Sequence, residues 1–444
     1  MPKDYKKLRS LYDRENAAFY KKVDGSRRID NSFAMPDDIP LTEEEIAAID
    51  AYWGKYKFAY PNIDYKSFQT FKNRYGKFDV RHCPGAIRTS YFTKHFIDSA
   101  YSRPFQHKGM QQFLYPNIKQ PRTFVRSING IYLNEEYEPL TIDEVIDTCI
   151  EAMRVGCDLI IKPNHGHGGR GIVVFDAKTT KPRTIRDHIT KTLKGSAFVI
   201  QEVLVQSEFM ARFNNSSVNT LRITSLLYKG QVRVLAALIR IGCAGNRVDN
   251  WCSGGSILGV DVNTGKCCAS AMLNDRTTSS KLSSGIDLEK ESLIVPNFEE
   301  VKRQVIASHY RIPYIRMISW DVALDKENTP ILIENNFGGM IQIHEATTGP
   351  LFGELMDDLL DEYLLEKFYL HFATEDFICR EYHNRVEIEE YIGASGDVTV
   401  PKELRDKPVT KIMADAFKES KITGFSASIS VMKNSPEAMK TLRI

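Results

Sequence analysis

A mixed α+β protein built from several domains is predicted from the sequence by three observations. The chain has 444 residues, long enough on the usual prior for roughly two to four domains and more than one core. Apolar residues recur at helical spacing through the N-terminal region and again through Val145, Ile146, Ile150 and Met153. Beyond Gly156 that period gives way to short apolar runs bounded by glycine, proline and polar residues, which read as strands. The composition, 42% hydrophobic, 26% charged and 10% aromatic, is that of a globular chain and excludes the disordered, collagen-like and disulfide-dense classes. With 59 Lys and Arg against 57 Asp and Glu, a net charge of +2, no global field is available to hold a nucleic acid or an anionic membrane. Any anion must be caught by local groups.

The elements follow in order. Up to about Pro104 the pattern is mainly helical, and Thr42-Glu43-Glu44-Glu45 forms a capping box before Ile46, Ala47, Ile49 and Tyr52. The aromatics of this region (Tyr56, Phe58, Tyr60, Tyr65, Phe68, Phe71 and Tyr75) read as helix core with a solvated basic face rather than as a stacking surface for sugars or bases. A strand is expected at 123–126, and Thr141-Ile142-Asp143-Glu144 opens a second capped helix that ends at Gly156. Residues 158–163 and 171–175 read as two strands of a hairpin, joined by His165-Gly166-His167-Gly168-Gly169-Arg170. A helix near 184–193 leads to strands at 197–202, 220–228, 232–241, 255–260, 318–324 and 331–334. From about His371 the character changes to short strands, a separate module. The expected segments are 1–103, mainly helical; 104–204, with the glycine hairpin; 205–370; and 371–444.

No secretory leader is read at the start, and no apolar run reaches the roughly 18 residues of a membrane span. The eight cysteines contain no Cys-x-x-Cys, which suits reduced thiols in a cytoplasmic protein. Cys267-Cys268 reads as part of a core strand ahead of a soft-metal site.

Two constellations carry chemistry. Consecutive glycines let backbone N–H groups approach phosphate oxygens without a Cβ in the way. Gly166-x-Gly168-x-x-Gly171 satisfies the dinucleotide fingerprint as a string, but Ile172-Val173-Val174-Phe175 continues as strand where that fingerprint needs a helix. A Walker loop fails as well, because Ile172 stands where the lysine should be. What remains is a hairpin cap over a nucleotide, or a glycine-rich turn without a ligand. Lys162 ends the strand that enters this loop, and Val199-Ile200-Gln201-Glu202-Val203-Leu204 ends in polar residues, as a hinge bordering an adenine would.

The second constellation is Asp321-Val322-Ala323-Leu324 followed by Ile331-Leu332-Ile333-Glu334-Asn335-Asn336. If Leu324 faces Ile331 across a hairpin, Val322 faces Ile333 and Asp321 faces Glu334, with Asn336 on the same face. Opposed carboxylates repel and need a cation or a shared proton. Oxygens from Asp, Glu and Asn suit Mg²⁺, which would bridge them to phosphates.

These pieces, with Lys108 ahead of them, make the segment from about Arg103 to Leu370 resemble the ATP-grasp superfamily, most closely its branch associated with polysaccharide and sugar-transfer loci. The resemblance implies an ATP-grasp fold, two α+β subdomains clasping ATP, here with a helical N-terminal region and a small C-terminal β-rich, repeat-like segment. It implies that Lys108 and Lys162 contact nucleotide phosphates and that Gly166, His167, Gly168, Gly169 and Gly171 close over them. Gln201, Glu202, Val203 and Leu204 would border the adenine, and Asp321, Glu334 and Asn336 would hold Mg²⁺, or Mn²⁺ in its place. Asn219-Thr220-Leu221-Arg222 and Val248-Asp249-Asn250 with Gly254-Gly255 are similar to that branch's own motifs, which makes Asn219, Asn250, Gly254 and Gly255 substrate candidates. Many ligases of the superfamily carry an Arg two residues before the metal Asp. Here that position is Ser319, and Arg222 or Arg240 is the candidate to supply the charge as a catalytic residue, a structural ion pair being the alternative for either. His165, His167 and His344 are candidates for proton transfer.

The resemblance implies an ATP- and Mg²⁺-dependent ligase in which a carboxylate takes the γ-phosphate and an amine then displaces phosphate, giving an amide, ADP and phosphate. The small-molecule carboxylate and amine would include an amino acid, peptide or amino sugar, in decoration of a surface polysaccharide. Two alternatives stand beside it: a kinase acting on a hydroxyl, and a non-catalytic nucleotide-binding scaffold for glycosyltransferases. The tail, with Val398-Thr399-Val400-Pro401 and Val409-Thr410-Lys411-Ile412, resembles BspA-like bacterial leucine-rich repeats. So short a repeat segment must pack on the body, on a protein partner or on a second copy.

Overall fold

The computed structural model describes residues 4–31, 33–164, 171–243, 245, 254–338, 341–394 and 396–442. The chain divides into two compact units, one formed by Phe71–Lys77 and Thr93–Leu351, the other by Met1–Thr70, Phe78–Phe92 and Phe352–Ile444.

The first unit holds two antiparallel sheets. One is built from β1 (Thr123–Ile128), β2 (Ile131–Leu133), β3 (Pro139–Leu140), β4 (Leu159–Pro163), β5 (Val173–Phe175) and β6 (Phe198–Glu202), in the order β3-β2-β1-β6-β4-β5. The glycine-rich segment thus joins the paired strands β4 and β5, as the sequence predicts. Along β4, Leu159 and Ile161 are buried, and with Val125, Ile200 and Phe175 they pack against Val145, Ile146 and Cys149 of the helix Ile142–Arg154. That helix starts at the expected capping box, in which Thr141 and Glu144 bond each other's backbone N–H. Ile160 and Lys162 point to the opposite face because strand side chains alternate.

The second sheet is larger, with β7 (Thr220–Tyr228), β8 (Gln231–Ile241), β9 (Ser256–Val260), β10 (Cys267–Leu273), β11 (Thr278–Ser279), β12 (Met317–Leu324) and β13 (Pro330–Asn336) in the order β11-β10-β9-β8-β7-β12-β13. The helix Phe298–His309 contributes Phe298, Val301 and Val305 to the core that this sheet shares with Trp320 and Val322. A chain of hydrogen bonds runs through that core. Trp320 Nε1 donates to Ser225 Oγ (2.8 Å), the Ser225 hydroxyl meets His309 Nδ1 (2.7 Å), and His309 Nε2 donates to the Ile315 carbonyl (2.9 Å), so each buried polar atom is satisfied. Cys267 and Cys268 lie on β10, and burial pushes the Cys267 thiol up to about 12, so it stays protonated as a core residue does.

The β12–β13 hairpin departs from the expected register. Leu324 pairs with Pro330, Ala323 with Ile331 and Val322 with Leu332, one residue off the predicted pairings, whereas Asp321 pairs with Glu334, Trp320 with Asn335 and Ser319 with Asn336. Ile333 is the extra residue of a β-bulge that absorbs the difference and re-aims the end of β13.

Of the aromatics expected to form helix core, Tyr56, Tyr60, Phe68 and Phe71 are buried, whereas Tyr65 is exposed. In the second unit Trp53, at the end of the capped helix Glu43–Trp53, meets Tyr56, Tyr60 and Phe68 edge-on at 5.7 to 6.0 Å. The C-terminal part adds β14 (Leu370–Ala373), β15 (Phe377–Glu381), β16 (Val386–Tyr391), β17 (Gly396–Thr399), β18 (Glu403–Leu404), β19 (Lys407–Ile412) and β20 (Ile422–Ser426). The pairs β16–β19 and β17–β20 are parallel, and the remaining pairs are antiparallel. Among the described residues no helix is long and apolar enough to cross a membrane.

Candidate active site

The site grows from three neighbouring strands. Arg222 and Thr224 on β7, Ser319 and Asp321 on β12, and Glu334 and Asn336 on β13 are each two residues apart, so each pair shares a face. Pairing sets Arg222 opposite Asp321 and Asp321 opposite Glu334. In the adjoining row, Thr224 lies opposite Ser319, and Ser319 opposite Asn336. Arg240, on β8, is two residues from Leu238, which pairs with Arg222, and so reaches the same face.

Asp321 is the hub. Its side chain is 1% exposed, and its two oxygens accept from Arg222 Nε and Nη2 (2.8 Å each), from Arg240 Nη1 (2.8 Å) and from Asn336 Nδ2 (3.2 Å). Burial alone would raise this carboxyl, but the two guanidinium charges outweigh it and hold the group below the usual carboxylate range. Asn336 Nδ2 also reaches Glu334 Oε1 at 3.4 Å, and Lys108 Nζ lies 3.3 Å from Glu334 Oε2. Three cationic side chains therefore converge on two carboxylates, and the surplus positive charge suits an anion.

The row beside it is uncharged. Thr224 Oγ1 bonds Ser319 Oγ (2.9 Å) and His344 Nε2 (3.0 Å), and His344 Nδ1 is buried without a hydrogen-bond partner. Burial, then the charge of Arg222, push this imidazole down to about 3. It is neutral at physiological pH, which fits a ring that positions its neighbours better than one that shuttles protons. Thr224 was not among the sequence candidates, although its spacing of two from Arg222 placed it on the same face.

The other candidates fall as follows. Lys162 lies on the half-buried face of β4, in register with Val199 of β6. Gly166, His167, Gly168 and Gly169, with His165, lie outside the described residues, as does Asn250. Gly171 has φ +76°, and a Cβ there would lie 3.0 Å from Pro163 Cγ. Gly171→Ala is therefore expected to destabilise the protein by about 1–2 kcal/mol through backbone strain; a thermal melt that does not move would rule this out. Gln201 is buried and its Nε2 donates to Thr123 Oγ1 (3.0 Å), Glu202 Oε1 accepts from the Arg122 N–H (2.9 Å), and the Val203 N–H donates to the Asp158 carbonyl (2.9 Å). These groups serve the sheet, and what 203–204 can offer a ligand is remaining main chain. Asn219 is fully buried: its Nδ2 donates to Gln206 Oε1, Met210 O and Asn214 O, and its Oδ1 accepts from the Gly242 N–H. The whole side chain is used to hold the loop before β7, and the structure does not bring it to the Asp321 cluster. Gly254 is exposed, with φ +96° and the Cys243 side chain beside it, and Gly255 is buried at the start of β9.

The donor set fits a hard divalent cation. Glu334 and Asn336 would offer oxygen ligands, as Mg²⁺ requires, and Asp321 Oδ1, which accepts from Arg222 Nε, would offer a third. No cluster of three or more His, Cys, Asp or Glu side chains suited to a metal occurs among the described residues, so two carboxylates and an amide are the candidate set.

Comparison with known proteins adds three findings. The chain is similar in structure to D-alanyl-alanine synthetase A from Vibrio cholerae O1 biovar eltor, at 13% identity and a TM-score of 0.38, over 59% of this chain and 64% of that one, which is less than two thirds of the synthetase's length. It is also similar to the ATP-grasp ligase PsnB complexed with minimal precursor, Mg and ADP (15% identity, TM-score 0.35, 71% of this chain and 74% of that one). A further similarity is to an L-amino acid ligase from Bacillus licheniformis (13%, 0.34, 73% and 62%). No curated protein matches the chain. The sugar-transfer-associated ATP-grasp family matches residues 105–354, which is more than half of the sequence and includes every strand of both sheets described around Asp321; the chain belongs to that family.

Proposed function

We propose that the protein is an ATP- and Mg²⁺-dependent carboxylate–amine ligase. The observation that carries this reading is the convergence of Arg222, Arg240 and Lys108 on Asp321, Glu334 and Asn336. Lys108 and Lys162 hold the polyphosphate, and Arg222 and Arg240, oriented by Asp321, face the charge that develops as the substrate carboxylate attacks the γ-phosphate. Glu334 and Asn336, with Asp321, would hold Mg²⁺, which would supply charge neutralisation at the phosphates. An amine then attacks the acyl carbon, its nitrogen losing a proton as phosphate leaves, and an amide, ADP and phosphate result. Water must be kept from the acyl phosphate.

The substrate class we assign is an amino acid, peptide or amino sugar, in polysaccharide decoration in the cytoplasm. For the tail we propose a leucine-rich-repeat-like coil used for docking to a protein partner or a second copy. Its support is the parallel pairing of Val386 with Val409 and of Asp397 with Gly424, offsets of 23 and 27 residues, within the roughly 20–29 residues of such repeats.

The test is calorimetric binding of ADP with Mg²⁺ to the wild type, to Lys162→Ala and to Glu334→Gln/Asn336→Ala. Metal-dependent binding that each variant weakens by about tenfold or more is expected for the loss of charge-assisted contacts. Acids and amines are then screened for coupled release of ADP and phosphate. A stable phosphorylated product without free phosphate would make the protein a kinase, and a folded wild type that does not bind MgADP would overturn the enzyme reading.

A further inference from the structure

Lys108 belongs to a short turn, Lys108–Met110, that precedes β1 in the chain by more than ten residues and packs against β1 and β6. Three side-chain hydrogen bonds add to that packing. His107 Nδ1 accepts from the Gly109 N–H (3.2 Å), Tyr137 Oη donates to the Gly109 carbonyl (3.2 Å), and Asn164 Oδ1 accepts from the Lys108 N–H (2.7 Å). The third differs in origin from the other two. Asn164 directly follows β4, and its own N–H continues the β4–β6 ladder by donating to the Ala197 carbonyl (2.8 Å). Along an extended chain, Asn164 and Lys162 project to the same side. The bond from Asn164 therefore places the Lys108 backbone over the face of the first sheet that carries Lys162. From there the Lys108 side chain, 16% exposed, spans to Glu334 on the second sheet at 3.3 Å.

We propose that Asn164 is a positioning residue that ties Lys108 to the end of the Lys162 strand, so that the two ammonium groups are presented to one polyphosphate at a fixed spacing. The inference rests on the nucleotide reading given above and adds to it the device that registers its two lysines. Asn164 also links the first sheet, through Lys108, to the carboxylate at the metal end of the second. Because the acceptor is a neutral amide oxygen, it holds the Lys108 backbone without placing a competing negative charge beside the phosphates, as an aspartate there would.

The experiment is calorimetric titration of MgADP into the wild type, Asn164→Ala, Asn164→Ser, Lys108→Met and the Asn164→Ala/Lys108→Met double variant, with melting curves to establish that each is folded. The alanine variant is expected to bind about tenfold more weakly, as the loss of one hydrogen bond that orients a charged contact predicts, and the serine variant, which keeps a hydroxyl acceptor, to fall between it and the wild type. The double variant should bind no more weakly than Lys108→Met alone, because Asn164 acts through Lys108. Additive losses would mean that Asn164 only supports the fold, and wild-type affinity in both Asn164 variants would mean that the turn is held without it. Either result overturns this inference while leaving the nucleotide site intact. Absence of MgADP binding by the folded wild type overturns the nucleotide reading and this inference with it.

Discussion

Replacing Asp321 with Asn is expected to destabilise the protein by about 3–5 kcal/mol, the usual consequence of removing one partner from a buried ion pair. The amide keeps the shape of the carboxylate but leaves Arg222 and Arg240, whose side chains are each 16% exposed, without the charge that both contact. Two cations 2.8 Å from a neutral group in a site with little water repel one another, and neither can relax into solvent without breaking the β7–β8–β12 face. For a unit of this size the loss should lower the melting temperature by roughly 6–20 °C. Adding Arg240→Met to Asp321→Asn should recover part of it, because the repulsion between the two guanidinium groups is then gone. A melt within a degree of the wild type would show that the carboxylate is not what balances the arginines. This hub also explains why sequence alone left Arg222 and Arg240 poised between a catalytic role and a structural ion pair: both bond the same carboxylate, so orientation by Asp321 and service to a substrate anion are compatible.

Acid should destabilise the fold well before its carboxylates titrate, because two imidazoles are buried in the neutral form. His309 is pushed down to about 4 by burial, and His344 to about 3 by burial and by Arg222, from an ordinary value of 6.5. Depressed folded values mean that the unfolded chain binds more protons as pH falls below 6.5. The stabilisation is therefore complete above pH 6.5, declines through the window from 6.5 to about 4 for His309, and continues to decline to about 3 for His344. His309 alone accounts for roughly 3 kcal/mol of it, at about 1.4 kcal/mol per pH unit. Asp321, also depressed, adds a loss of the same sign below its ordinary value of 3.8. Denaturation measured at intervals from pH 7 to 4 should show this slope in the wild type, and a flatter one in His309→Gln/His344→Gln. Parallel slopes would mean that neither ring is held neutral by the fold.

Local patterns were legible from the chain. The capping boxes at Thr42 and Thr141 lie where the sequence placed them, since a cap needs only residues three apart. The strands on either side of the glycine-rich segment, and the alignment of Asp321, Glu334 and Asn336, follow from a period of two within short runs. Even there the turn end of the hairpin shifted by one residue, because a bulge at Ile333 depends on how β13 packs and leaves no mark in the hydrophobic alternation. The short strands β2, β3 and β11 were missed for a related reason: two or three residues of mixed polarity show no period of their own, and they are strands because a neighbour offers hydrogen bonds.

Legible in the chain, therefore, are the longer elements, their type and the motif residues that ride on them, all properties of windows a few residues wide. The tertiary structure alone decided which distant groups meet: Arg222 and Asp321, 99 positions apart, Lys108 and Asn164, 56 apart, and Asn16 and His371, 355 apart, the last within one unit that joins both ends of the chain. It also withdrew Asn219 from the cluster by using its whole side chain to hold a loop. The physical reason is that periodicity assigns a side chain to a face, whereas its partner on that face is set by strand order and register, which only the folded chain possesses.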